Sequence, residues 1–194
     1  YACGESIPRI EMLPQIELVK EKGFEVLYFT QDVDEFAIKM MMEYKGKKFK
    51  SVSDGDLDLE TEEEKEETKK TSEENQDMFK FMQETLDGKV KEVRLSTKLK
   101  SHPVCLSAEG NITIEMEKVL NSMPQNDGNK VTAEKCLELN PSHPVFEKLK
   151  SLYTADKDKL AEYTKILYSQ ALLIEGMSIE NPVEFANLIC GLMV

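Results

Sequence analysis

Residues 166–174 read Ile166-Leu167-Tyr168-Ser169-Gln170-Ala171-Leu172-Leu173-Ile174, and a few residues later comes Asn181-Pro182-Val183-Glu184-Phe185. The first stretch belongs to a helix expected over 157–175. That helix is amphipathic at its start, through Leu160, Tyr163 and Leu167, and then apolar nearly all round, so it must be covered on most sides. A second helix is expected over 182–193: Asn181 can cap it, Pro182 suits its first position, and Glu184 completes a box-like pattern. Phe185, Leu188, Ile189 and Leu192 form one stripe of this helix, with Met193 and Val194 beyond. Few chain segments remain to cover two such helices, so a partner is expected. A second copy closing a four-helix bundle, with two helices from each protomer, is the common solution for a self-complementary surface.

Working back from these helices, Val90 to Ser96, Val104 to Ser107 and Glu134 to Leu139 read as three strands. Helices are expected before them (Met78, Phe79, Met82 and Leu86, ended near Gly88), between them (Ile112 to about Met123) and after them (144–153). Nearer the start, Leu13 to Lys22 reads as a helix stopped by Gly23. Phe24 to Thr30 reads as a buried strand. A helix capped by Asp32 or Asp34 follows, with Phe36, Ala37, Met40, Met41 and Tyr44 at helical spacing, and Lys48 to Ser53 is a possible returning strand. The expected class is α+β. A small α/β unit comes first, then a three-stranded sheet with helices, then a helical dimerisation bundle.

Charge divides the chain in the same places. Of 194 residues, 37 are acidic and 25 basic, a net charge of −12. Residues 54–74 alone hold 11 acids and 3 lysines, with one aliphatic pair, Leu57 and Leu59. Such a stretch has little surface to bury, and reads as a solvated linker or exposed helix start between units at 1–53 and 75–194. The acidic balance argues against nucleic acid as a partner, which needs a positive field. No apolar run approaches the ~20 residues that span a bilayer, and no signal peptide opens the chain. Because the first residue is Tyr1, a piece of a longer protein is expected.

Chemistry finds little support. Cys3, Cys105, Cys136 and Cys190 form no C-x-x-C pair, and read as free thiols in a reducing compartment. His102 and His143 each precede a proline, which favours turn or helix-entry positions. Gly46-Lys47-Lys48 lacks the rest of a phosphate loop, and Asp54-Gly55-Asp56-Leu57-Asp58 has the wrong glycine and glutamate spacing for a calcium loop. No catalytic, cofactor-binding or metal-binding residue is expected in this chain, and it does not read as an enzyme.

Several blocks, in order, resemble one family. Tyr1-Ala2-Cys3-Gly4-Glu5-Ser6, Gly23-Phe24-Glu25-Val26-Leu27 through Asp34-Glu35-Phe36, and Tyr44-Lys45-Gly46-Lys47 resemble the end of the middle domain of heat shock protein 90 chaperones, closest to the bacterial members. Val93-Arg94-Leu95-Ser96, Leu139-Asn140-Pro141-Ser142-His143-Pro144, Leu167-Tyr168-Ser169-Gln170-Ala171-Leu172-Leu173 and Glu180-Asn181-Pro182 resemble their C-terminal domain. The resemblance implies the distal part of a cytoplasmic, ATP-driven, homodimeric stress chaperone. Its ATP and Mg²⁺ would be bound upstream of Tyr1. A dimer interface is implied at Leu167, Ala171, Leu172, Ile174, Phe185, Leu188, Ile189 and Leu192. The sequence lacks the acidic Met-Glu-Glu-Val-Asp tail of eukaryotic cytosolic members, so no tail-reading co-chaperone is implied.

Unfolded or partly folded client proteins are the other implied partners. Ile112, Met116, Val119, Leu120 and Met123 fall on one stripe of the helix at 112–123. The stripe either packs on the three strands or meets clients, and methionine suits varied surfaces. Two readings from other classes stay open: a ligand-binding or regulatory domain of an unidentified enzyme, and a plain oligomerisation scaffold.

Overall fold

The structure, a computed structural model, describes residues 1–55, 57, 59–123 and 130–193. Asp56 and Asp58 of the calcium-like stretch, most of the loop from Pro124 to Lys130, and Val194 lie outside the described residues. The architecture is α+β, as expected from the sequence.

The first apolar cluster gathers Ala2, Ile10, Ile16, Val19, Val52 and Leu57. Strand β1 (Ala2–Cys3) pairs in parallel with β2 (Tyr28–Phe29), and helices α1 (Ile7–Glu11) and α2 (Ile16–Glu21) lie between them in sequence. The strand expected over 24–30 is thus only two residues long, because β1 offers two residues before helix α1 begins after Ser6.

Helix α3 (Asp34–Met41) buries Glu35 and Ile38, while Met40 and Met41 are exposed. This reverses the face expected from the spacing. Glu35 turns inward because its carboxylate accepts a hydrogen bond from the Tyr1 hydroxyl, 3.2 Å away. The strand expected over 48–53 does not continue past Lys48. Instead β3 (Glu43–Tyr44) and β4 (Lys47–Lys48) make a hairpin, turned by Lys45 and Gly46 at φ 50° and 75°. Two successive positive φ values match the twist of paired strands, and Gly46 adopts one without strain.

Helix α4 (Glu62–Glu74) buries no residue. Its start is well defined, because Thr61 and Glu64 exchange side-chain and backbone hydrogen bonds in a capping box. Ahead of it the acidic stretch is anchored: Leu57 is buried in the first cluster, and Asp54 bridges Ala108.

The second cluster is the main core. Helix α5 (Gln76–Thr85) leads to β5 (Glu92–Leu95), β6 (Val104–Glu109), α6 (Ile114–Ser122) and β7 (Glu134–Leu139). The strands lie in the order β5-β7-β6, with β7 parallel to β5 and antiparallel to β6. Alternation decides the faces. Val93, Leu95, Val104, Leu106, Leu137 and Leu139 point into the core, against α5, α7 (Pro144–Ala155) and α8 (Lys157–Ile174). Helix α9 (Pro182–Gly191) follows and packs on α8. His143 caps α7 by accepting a hydrogen bond from the Val145 amide at 3.2 Å, the helix-entry role its Pro144 neighbour implied.

Candidate functional site

Helices α8 and α9 end the chain very differently. In α8, Leu160, Ile166, Leu167, Ala171 and Leu172 are buried. All but Ile166 join the core made with the sheet and α5. Of the expected interface residues, Leu167, Ala171 and Leu172 are thus buried within the chain itself, on a helix that packs against β6, α5 and α7. The segments that the sequence seemed to lack for this cover are supplied by folding β6 against α8. Ile174 is half-buried, and its neighbour Leu173, outside the expected set, is 50% exposed.

Helix α9 buries nothing. Phe185, Leu188 and Ile189 are half-buried, while Val183, Leu192 and Met193 are exposed. Asn181 accepts a hydrogen bond from the Glu184 amide at 3.0 Å, so the cap read from the sequence is in place. Lys165 of α8 reaches Glu184 at 3.0 Å and pins the two helices at a solvent-exposed point.

The stripe expected on the helix at 112–123 is split. Thr113 caps α6 by accepting from the Met116 amide, and the face holding Thr113, Ile114, Met116 and Glu117 is buried. Met116, 6% exposed, is thus corrected to a core position. It is held there because Glu117, one residue on, is drawn inward by the Lys135 ammonium and the Ala133 amide. Ile112, Val119 and Leu120 are half-buried and Met123 is exposed, so these four form the outward part. Helix α3 also touches α6, and its end exposes Met40, Met41 and Met42; Met40 is 82% exposed.

A buried polar network went unread in the sequence. On the sheet face away from the main core, Glu138 accepts hydrogen bonds from Ser107 (2.6 Å), Ser96 (3.1 Å) and Arg94 (3.1 Å). Lys98 lies 3.5 Å from the same carboxylate and donates to the Asp54 carbonyl at 2.6 Å, tying the acidic stretch to the sheet. Both Glu138 and Lys98 are about 1% exposed. The alternation Val93-Arg94-Leu95-Ser96, Val104-Cys105-Leu106-Ser107 and Cys136-Leu137-Glu138-Leu139 was the signal that could have found it: every second residue is polar or a thiol, and all of these but the half-buried Arg94 are buried. A Cβ on Gly55 would run into the Arg94 guanidinium, so the close approach of this segment depends on glycine.

Glu92, Glu109 and Cys136 place donor atoms within 4.8 Å of one another. Lys91 lies 3.0 Å from Glu109, and the Arg94 guanidinium donates to Glu92 at 2.6 Å and to Glu109 at 2.7 Å. Burial works against that charge, but Glu138 and Glu109 outweigh it and hold Arg94 above its ordinary range. Burial also pushes the Cys136 thiol up to about 11. Both carboxylates of this cluster are therefore already paired with the chain's own cations. None of the four cysteines is in a disulfide.

Helix α9 thus leaves all of its apolar residues at least partly exposed beside a sheet-and-helix core. The whole chain, residues 1–194, matches the Hsp90 protein family. It is 61% identical over 193 residues to the chaperone protein HtpG of Clostridium acetobutylicum and 55% identical over 194 residues to that of Bacillus subtilis. A third relative, the HtpG of Halalkalibacterium halodurans, is 58% identical over 193 residues. Each match covers all of this chain but only 30–31% of the relative. The chain belongs to the Hsp90 family and spans about 30% of the length of those curated relatives. Among the described residues, no helix is long and apolar enough to cross a membrane.

Proposed function

We propose that this chain is the C-terminal portion of a cytoplasmic HtpG-type chaperone, serving as its dimerisation and client-contact region. In this reading residues 1–53 end the middle domain, 54–74 connect, and 75–194 form the dimerisation domain. The observation that carries it is α9, a well-capped helix with no buried residue and apolar side chains on view. Each large apolar side chain moved fully from water contributes about 1.5–3 kcal/mol. Phe185, Leu188, Ile189 and Leu192, with Leu173 and Ile174 of α8, supply enough such surface for a two-fold contact with a second copy. ATP and Mg²⁺ belong, in this reading, to residues outside the chain. Light scattering tests it: the parent chain runs as a dimer, and a monomeric parent would overturn the assignment.

Client contact rests on a second observation. The outward side of α6 presents Ile112, Val119, Leu120 and Met123, and exposed methionines lie on the neighbouring α3. Flexible, polarizable side chains adapt to irregular apolar segments of unfolded chains. Changing Val119 and Met123 together to serine should leave the melting temperature nearly unchanged and weaken suppression of client aggregation. A large loss of stability would instead place these residues in the core.

A further inference from the structure

The contact between the first helices and the end of α8 contains a chemical mismatch. Gln15, just ahead of α2, is fully buried. Its Nε2 donates to the Leu106 carbonyl at 3.0 Å and to the Glu175 carboxyl at 2.6 Å. Its Oε1 is buried with no hydrogen-bond partner among the described residues. A buried acceptor left without a donor costs about 1–3 kcal/mol. Flipping the amide would not help, since Oε1 would then face the Leu106 carbonyl, another acceptor.

Glu175, which ends α8, is 5% exposed. The cations near it are committed elsewhere. Lys118 of α6 pairs with Glu115 and donates to the Glu175 backbone carbonyl at 2.9 Å, not to its carboxyl. Lys98 is held by Glu138 and the Asp54 carbonyl. The remaining titratable groups on this side are Cys105 of β6 and, around a cavity of about 20 Å³ that Glu175 lines, Cys3, Glu5, Arg9 and Glu115. That cavity has room for about one water.

We propose that Glu175 is protonated in the folded chain, and that its hydroxyl donates to Gln15 Oε1 while its carbonyl oxygen accepts from Gln15 Nε2. The resulting acid–amide pair is a proton-dependent latch between the α1–α2 segment and the end of α8. One added proton satisfies the orphaned acceptor and removes an unpaired buried charge together. Burial, only partly opposed by the Gln15 hydrogen bond and Lys118, pushes the Glu175 carboxyl up to about 7. The native carboxyl therefore holds its proton more tightly than the unfolded one. The latch is fully present below the ordinary carboxylate range and is lost as pH rises through about 7. Because Glu175 stands directly before the Gly176 turn into α9, the latch also sets how the α8 end meets the first unit.

Glu175→Gln mimics the protonated acid, since its amide donates and accepts at the same two places. Between pH 5.5 and 8 the melting temperature of the parent should fall relative to this variant by about 3 °C or more. Parallel profiles for the two would overturn the latch. A sequence-assigned carboxyl titration of the parent by nuclear magnetic resonance needs no variant. A Glu175 midpoint near 7 supports the proposal, and a midpoint in the ordinary carboxylate range overturns it.

Discussion

Helices α8 and α9 are both apolar and both well capped, yet one belongs to the core and the other to the surface. Leu160, Leu167, Ala171 and Leu172 of α8 pack on β6, α5 and α7. Phe185, Leu188 and Ile189 of α9, which packs on α8, remain half-exposed. The difference is one of neighbours rather than composition. A helix flanked by a sheet and two other helices can bury an apolar surface on most sides. A helix laid mainly on one neighbour keeps its outer side exposed.

The largest effect that could break this contrast is in α8. Leu160→Ala should cost about 2–5 kcal/mol by opening a cavity in a fully buried site, read as a lowered midpoint in urea. An unchanged midpoint would mean that α8 is not part of the core. Leu188→Asp in α9 should do the opposite: light scattering should show a monomer, while circular dichroism shows the helical content retained. A dimer that survives this change would move the interface away from α9.

Smaller effects sharpen the comparison with α4, a third helix, which is charged throughout and buries nothing. Thr61→Ala removes its cap, worth about 1 kcal/mol, and should speed hydrogen exchange in residues 62–66 without moving the global midpoint. A global shift would tie α4 to the core. Lys165→Ala breaks the ion pair with Glu184 that joins α8 to α9, at a site about half exposed. It should change stability by no more than about 0.5 kcal/mol, because exposed pairs are well screened.

Much of the architecture was legible beforehand because it rests on local rules. The strands β5, β6 and β7 were placed close to their observed bounds, and Asn181 and Pro182 marked the start of α9. Blocks of residues in order carried the family. Errors gathered where a residue's partner lies far away in sequence. Spacing put Met40 and Met41 inside α3, but Tyr1 draws Glu35 inward and turns those methionines out. Spacing put Met116 on a stripe that could face either way, and Lys135, 18 residues on from Glu117, fixes the helix with Met116 inside.

Local spacing and residue identity were enough for most of the helices, the strands of the larger sheet and the family, because each depends on neighbours a few residues apart or on the residues themselves. The folded arrangement settled which apolar helix is core and which is surface. It alone brought Gln15 to Glu175 across 160 residues and Lys98 to Asp54 across 44. Burial and charge pairing are sums over everything that surrounds a group, and most of those surroundings come from distant parts of the chain.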